Sequence, residues 1–284
     1  MRLPSDKDLY MSNNFTAPIG IFDSGIGGLS VLRAIRAQMP TTPVLYLGDQ
    51  EHVPYGPREM REVQAFSDEI TRFLLARGVK LVVVACNTAS AAALKYLRLT
   101  FPQTPFVGME PAVKPAAEQT RSGVVGVLAT PATFQGALYA SVVERFAQGV
   151  TVLQDTCPGL VAQIEKGEFE TPETELILRK ALLPMLDRGI DTVVLGCTHY
   201  PFVIPLIKRI VGPQVRVIDP APAVARQVGR LLQADNKASG LKDDAIVTYY
   251  TTAAAKSMQL LLPKLIGENG IVHELHWRDG VLTE

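Results

Sequence analysis

The sequence of 284 residues is short of cysteine, of net charge and of long apolar runs. Cysteine occurs three times, an odd and low count that does not build a disulfide framework. A reducing cytoplasm suits such a chain, and there its thiols serve either packing or chemistry. Basic and acidic residues number 28 each, so no excess of one sign marks a nucleic-acid surface or a polybasic membrane patch. No apolar run reaches the length of a membrane span. The first seventeen residues, MRLPSDKDLYMSNNFTA, lack the apolar segment of a secretory signal and read as a tail. What the chain does have is bulk: 47% hydrophobic residues suffice for sizeable cores.

Short apolar runs alternate with amphipathic stretches. PIGIFDS (18–24), TPVLYLGD (42–49) and KLVVVAC (80–86) read as strands with helices between them. The pattern restarts with strands at 123–130, 150–155 and 191–197. One helix is expected over PATFQGALYASVVERFAQG, another over 174–189 that Pro184 kinks or splits, and a third over YPFVIPLIKRIVG. Residues 236–244 read as a polar loop. The alternation implies an α/β fold with mainly parallel sheets. RGVKLVVVACNT (77–88) lies over RGIDTVVLGCTH (188–199), and GIFDS (20–24) falls on GVLAT (126–130) at a similar shift. Two α/β units of about one domain each fit this better than a solenoid. The expected division is 18–112 with 222–284 as a discontinuous first domain, 113–221 as the second, and 1–17 as the tail.

Ligands of open parallel sheets bind beyond the carboxyl ends of the strands. Cys86 and Cys197 both end a strand ahead of a helix start, where the helix dipole favours thiolate. A lone cysteine after valines ordinarily packs. Two in equivalent settings can face each other across a cleft, one removing a proton from a carbon acid and the other delivering one to the opposite face. Cys157 has no twin and reads as structural. A redox pair would be closer in sequence, and a zinc site needs more ligands than Cys197 and His199 supply, so no metal is expected. Asp23 and Ser24 precede GIGG, whose amides can face a carboxylate, although either residue also suits an N-cap. Asn87, Thr88, Thr130, Thr133 and Thr198 lie at strand ends, as caps or as donors to a small amino acid. VPYGPR (53–58) is a tight turn with Tyr55 packed. His199 is placed to stabilise or relay charge for Cys197. Glu165 reads as a solvated surface acid.

DSGIGGLSVLRAI, GDQEHVPYGPR, VVACNTAS and DTVVLGCTHYPF together resemble the glutamate branch of the aspartate/glutamate racemase superfamily, from about Pro18 to the C-terminal strand. The resemblance implies two pseudo-symmetric, flavodoxin-like α/β domains with the active site in the cleft between them. It implies a cofactor-independent, two-thiol interconversion of L- and D-glutamate that supplies D-glutamate for peptidoglycan. Cys86 would act on D-glutamate with help from Asp23, and Cys197 on L-glutamate with help from His199. Ser24, Tyr55, Gly56, Asn87, Thr88, Thr130, Thr133 and Thr198 would contact substrate beside Asp23 and His199. Glu165 fits the family's CPxxVxxxE pattern and joins the catalytic set. The late turn departs from the family, with Pro220 where serine is usual, whereas LATPATF keeps both threonines. The expected partner is glutamate, with no nucleic acid or membrane, and a homodimer is left open. The competing readings are a racemase for another small acid such as aspartate, an amino-acid-binding protein whose thiols only pack, and a cysteine hydrolase using Cys197 and His199. The hydrolase leaves the Cys86 repeat unexplained.

Overall fold

The computed structural model describes residues 17–234 and 246–284. The tail expected over 1–17, apart from Ala17, and the polar loop expected over 236–244 lie outside the described residues.

The chain begins with β1 (Ile19–Asp23), α1 (Leu29–Gln38), β2 (Val44–Gly48), α2 (Met60–Ala76), β3 (Leu81–Val84), α3 (Asn87–Thr100) and β4 (Phe106–Gly108). It continues with α4 (Val113–Gln119), β5 (Val124–Ala129), α5 (Pro131–Gln135), α6 (Ala137–Phe146), β6 (Thr151–Asp155), α7 (Leu160–Glu165), α8 (Pro172–Asp187) and β7 (Thr192–Gly196). A 3₁₀ turn (Tyr200–Val203), α9 (Ile204–Val211), β8 (Arg216–Ile218) and α10 (Ala221–Ala234) follow. The last elements are β9 (Val247–Thr251), α11 (Ala255–Ile266), β10 (Val272–Glu274), and the hairpin of β11 (His276–Arg278) and β12 (Val281–Thr283).

Apart from this antiparallel hairpin, the strands form two parallel sheets. One has the order β10-β9-β2-β1-β3-β4 and the other β6-β5-β7-β8. The run β2-β1-β3-β4 and the run β6-β5-β7-β8 are the same topology, and the register agrees as well. Phe22 of β1 stands opposite Val84 of β3, and their counterparts in the repeat, Leu128 of β5 and Leu195 of β7, stand opposite each other. β1, β3 and β7 are buried along their whole length, as strands with helices on both faces must be. The repeated Arg-Gly pair has a backbone cause. Gly78 and Gly189 follow α2 and α8 with φ of +77° and +78°, a left-handed helix end that disfavours any side chain. β9 and β10 extend the first sheet beyond β2, and α10 packs against α1.

Two helix expectations change and a third is narrowed. The helix expected after β5 is two helices meeting at Gly136, whose backbone is extended. A Cβ there would lie 3.0 Å from the Ala91 methyl, so the glycine lets this corner press against α3. Pro184 does not split α8, because Leu178, Ala181, Leu182 and Met185 are buried on either side of the missing hydrogen bond. The helix expected from Tyr200 opens instead as the 3₁₀ turn.

Asp191, just ahead of β7, holds the turn before β5. It accepts from Thr120 Oγ1 at 2.7 Å, from the Ser122 amide at 2.9 Å and from Thr192 Oγ1 at 3.0 Å. Burial opposes its charge, but these donors outweigh it and bring its carboxyl down to about 2. A depressed carboxyl contributes stability above its ordinary value and loses it as pH falls through the folded value. Asp191→Asn should therefore lower Tm at pH 7 by about 2–4 °C, and the difference from wild type should close toward pH 2. A Tm difference that stays constant down to pH 2 would remove the carboxylate from this account.

Candidate active site

Both cysteines of the repeat sit where the topology sends them, just past the ends of β3 and β7, and both line one pocket. Ser24, Tyr55, Gly56, Asn87, Thr88, Thr130, Thr198 and His199 line it too. Asp23 and Glu165 lie one hydrogen bond behind, and Thr133 bonds to Thr130. The pocket is narrow, with about 10 Å3 of free space. That is room for about one water. A larger cavity of about 740 Å3 lies elsewhere, beside β4 and β8, but it contains neither thiol nor His199. We place the chemistry in the small pocket, because the groups able to move protons converge there.

The two thiols are in equivalent positions but different surroundings. Cys86 caps α3, its sulfur accepting from the Ala89 amide at 3.4 Å and its S–H directed to Ser24 Oγ at 3.9 Å. The expectation that the helix start favours thiolate does not hold for Cys86. Burial and the nearby Asp23 carboxylate push this thiol well up, beyond what the Ala89 amide offsets. Cys197 is followed by the 3₁₀ turn, and its sulfur lies 3.7 Å from His199 Nδ1. The other imidazole nitrogen, Nε2, is 2.6 Å from Glu165 Oε1. Burial disfavours charge on the ring, yet the hydrogen bonds to Cys197 and Glu165 outweigh it and raise His199 well above its ordinary value. With an acceptor at each nitrogen, the imidazolium satisfies both.

Glu165 is not the solvated acid that its residue context suggested. Its side chain is 12% exposed and carries three donors: the Ile26 amide at 2.9 Å, His199 Nε2, and Gln50 Nε2 at 2.9 Å. The Gly-rich loop after β1 is accordingly committed to the protein's own carboxylates. The Gly25 amide donates to Asp23 Oδ2 at 3.1 Å while the Ile26 amide serves Glu165. Two of its glycines allow close approach. A Cβ on Gly25 would fall 2.0 Å from Glu165 Oε1, and one on Gly27 2.4 Å from His199 Nδ1. Asp23 is fully buried, and Thr198 donates to its Oδ1 at 3.1 Å across the cleft. Burial pushes its carboxyl up, against the pull of the His199 charge.

The remaining lining is neutral. Thr88, Thr130 and Thr133 form a chain of hydroxyls with spacings of 2.9 and 3.0 Å. Both polar atoms of the buried Asn87 amide lack a hydrogen-bond partner. Among the described residues no Lys or Arg lines the pocket. Arg58 instead donates to the His52 carbonyl at 2.7 Å and to Glu62 at 2.5 Å. The Tyr55 hydroxyl is spent on Asp49 Oδ2 at 2.6 Å. Asp49 and Gln50 were missed in the sequence. The signal available was their place at the end of β2, beside the PYG turn. Among the described residues no group of three His, Cys, Asp or Glu side chains gathers around a metal position.

Residues 28–228 match the family model described as Asp/Glu/Hydantoin racemase. The chain is 55% identical over 223 residues to a glutamate racemase of Roseiflexus sp. (strain RS-1), covering 78% of this chain and 82% of that one. A crystal structure of a glutamate racemase isoform from Bacillus anthracis superposes with a TM-score of 0.82 at 32% identity, over 93% of this chain and 98% of that one. A glutamate racemase from Francisella tularensis in complex with D-glutamate superposes with a TM-score of 0.79 at 28% identity, over 92% and 97%.

The close approach at the Gly loop is testable. Gly27→Ala should destabilise the protein by about 1–3 kcal/mol, the cost of overpacking, because the methyl must displace His199 or the loop. Urea unfolding at pH 7 measures it. A change below about 0.5 kcal/mol, the range of indifferent surface substitutions, would show that the loop yields freely.

Proposed function

Because the chain belongs to the Asp/Glu/Hydantoin racemase family and is an amino-acid racemase, we propose that it interconverts L- and D-glutamate with Cys86 and Cys197 as the paired acid and base. The observation that supports this most is the pocket wall. It carries two buried thiols from equivalent strand ends, one from each sheet.

In one direction a Cys197 thiolate removes the Cα proton of L-glutamate. The electron pair left at Cα spreads into the α-carboxylate, and the Cys86 thiol delivers a proton to the opposite face. Cys197 ends as thiol and Cys86 as thiolate, the arrangement that begins the reverse reaction. His199 serves Cys197 from 3.7 Å and is itself held by Glu165. Asp23 serves the Cys86 side, its charge bearing directly on that thiol. The neutral donors Asn87, Thr88, Thr130, Thr133 and Thr198, with Ser24 and the turn at Tyr55–Gly56, hold the substrate. A pocket of about 10 Å3 does not admit glutamate, so binding requires the two units to part and close again. We take residues 18–112 with 222–284, and residues 113–221, as the bodies that move. No helix among the described residues is long and apolar enough to cross a membrane. We place the enzyme in the cytoplasm, supplying D-glutamate for peptidoglycan.

The decisive experiment is deuterium incorporation at Cα of each enantiomer in D2O without added cofactor. Cys86→Ala or Cys197→Ala should lower racemisation by about 10²–10⁴-fold, the range of a lost acid–base group, with the fold intact. Cys157→Ala should leave kcat near wild type. Near-normal racemisation by either active-site mutant sinks the two-thiol reading.

Specificity follows from the neutral lining. A shorter side chain leaves buried donors unpaired, so glutamate should exceed aspartate by at least about tenfold in kcat/KM. Comparable values for the two amino acids would make this a broader racemase.

Glu165→Gln should move the alkaline limb of the pH–rate profile to lower pH, since the carboxylate is one of the groups that raise His199. The stability side has a definite sign as well. A raised imidazole contributes below its ordinary value of about 6.5 and loses the contribution as pH rises through its folded value. The stability advantage of wild type over Glu165→Gln should therefore be largest below about pH 6.5 and shrink above it. An advantage that grows with pH would contradict the assignment.

A further inference from the structure

The segment after β2 sends two adjacent side chains toward opposite halves of the pocket. Asp49 takes the Tyr55 hydroxyl, on the Cys86 side. Gln50 reaches across the cleft to Glu165, the carboxylate under His199. The orientation of the Gln50 amide is fixed by its neighbours. Thr251, the last residue of β9, accepts the Ala253 amide on its Oγ1 at 3.2 Å and donates its one proton to Gln50 Oε1 at 2.8 Å. The Gln50 carbonyl is thereby assigned, and its NH2 group is left to face the Glu165 carboxylate. The result is a polarised chain: Thr251 donates to Gln50, Gln50 to Glu165 Oε2, and His199 Nε2 to Glu165 Oε1, with His199 Nδ1 against Cys197.

We propose that Gln50, braced by Thr251, is a positioning residue for His199 and through it for Cys197. The inference rests on the two-thiol reading above. Glu165 has two contacts from the first unit, the Ile26 amide on Oε1 and Gln50 on Oε2. Between them they occupy both oxygens and fix the carboxylate plane. Glu165 and His199 are both in the second unit, so their bond survives an opening of the cleft, whereas the bonds to Ile26 and Gln50 cannot. Closure therefore locks the plane of Glu165, and with it the imidazole that meets the sulfur of Cys197. The second sheet has no strand equivalent to β9 among the described residues, so this brace belongs to one side of the cleft only.

The test uses Gln50→Leu, Gln50→Glu and Thr251→Val in the full chain. Gln50→Leu should lower kcat about tenfold, the scale of a lost hydrogen bond to a charged group, with KM for glutamate little changed. Gln50→Glu, which sets a second carboxylate against Glu165, should be slower than Gln50→Leu. Thr251→Val should act in the same sense more weakly, and it carries the test if Gln50→Leu fails to fold. Primary isotope effects separate positioning from general loosening. If Gln50 acts through Cys197, proton transfer at that sulfur becomes more rate-limiting. The effect with 2-deutero-L-glutamate should then rise while that with 2-deutero-D-glutamate falls. Wild-type kinetics in Gln50→Leu, or two isotope effects that move together, overturn the proposal. If wild type itself fails to exchange the Cα proton of glutamate, the two-thiol reading fails. The proposal is then decided by NMR of the unliganded protein. Gln50→Leu should shift the His199 Nε2–H proton resonance, and an unchanged resonance overturns it.

Discussion

One half-buried carboxylate ties the two sheets together. Glu165, at the last residue of α7, takes donors from the loop after β1, from the segment after β2 and from His199. A carboxylate in this position without donors would cost several kcal/mol, and hydrogen bonds to a charged group contribute about 1.5–3 kcal/mol each. The loop must therefore come close enough for the Ile26 amide to reach Oε1. That requirement explains why residues 25 and 27 carry no side chain, since a methyl at either would collide with Glu165 or His199. The position of β1 relative to α7, the seating of His199, and the narrowness of the pocket follow from this contact.

Equivalent backbone positions do not give equivalent electrostatics. The Cys86 side pairs a buried thiol with a buried acid, and burial raises both. The Cys197 side pairs a thiol with an imidazole whose charge is favoured by that sulfur and by the Glu165 carboxylate. This asymmetry is compatible with a reaction that interconverts mirror images. Two enantiomers bound to one chiral protein are diastereomeric complexes, so nothing requires the groups on the two faces of Cα to match. On the proposed two-thiol reaction each sulfur changes protonation state once per turnover, and the two environments would supply this by different means.

Much of the fold was legible in the sequence, because its signals are local. Apolar runs marked β1, β3, β5 and β7, and the repeated Arg-Gly ahead of two of them marked helix ends. The repeat carried the two cysteines to matching strand ends. The errors came where packing decides. The break at Gly136 depends on Ala91 in another helix, and the persistence of α8 through Pro184 depends on its buried flank. Glu165 could not be read from its neighbours, because its partners lie 34 to 139 residues away. For the same reason the Gly loop read as a cradle for a ligand carboxylate. Its Gly25 and Ile26 amides do meet carboxylates, but they are those of Asp23 and Glu165.

With no Lys or Arg among the described residues that line it, the pocket has the His199 ring and dipoles to hold an anionic ligand, and dipoles help only if they are not already committed. Most donors here satisfy one another when the cleft is closed. The Thr88, Thr130 and Thr133 hydroxyls bond in a row, and Thr198 bonds to Asp23. Hydroxyls rotate, so each can exchange a protein partner for a ligand oxygen at little net change. Asn87 differs, since both ends of its buried amide lack a partner. An unpaired buried polar atom carries a penalty of about 1–3 kcal/mol, and a ligand with an acceptor and a donor in reach removes it. An α-amino acid offers both, as carboxylate and ammonium on one carbon. Asn87 follows Cys86 directly in the chain, so a ligand that satisfies the amide is held beside that sulfur. On the proposed two-thiol reaction, binding energy and the placement of Cα against that thiol would come from the same contact.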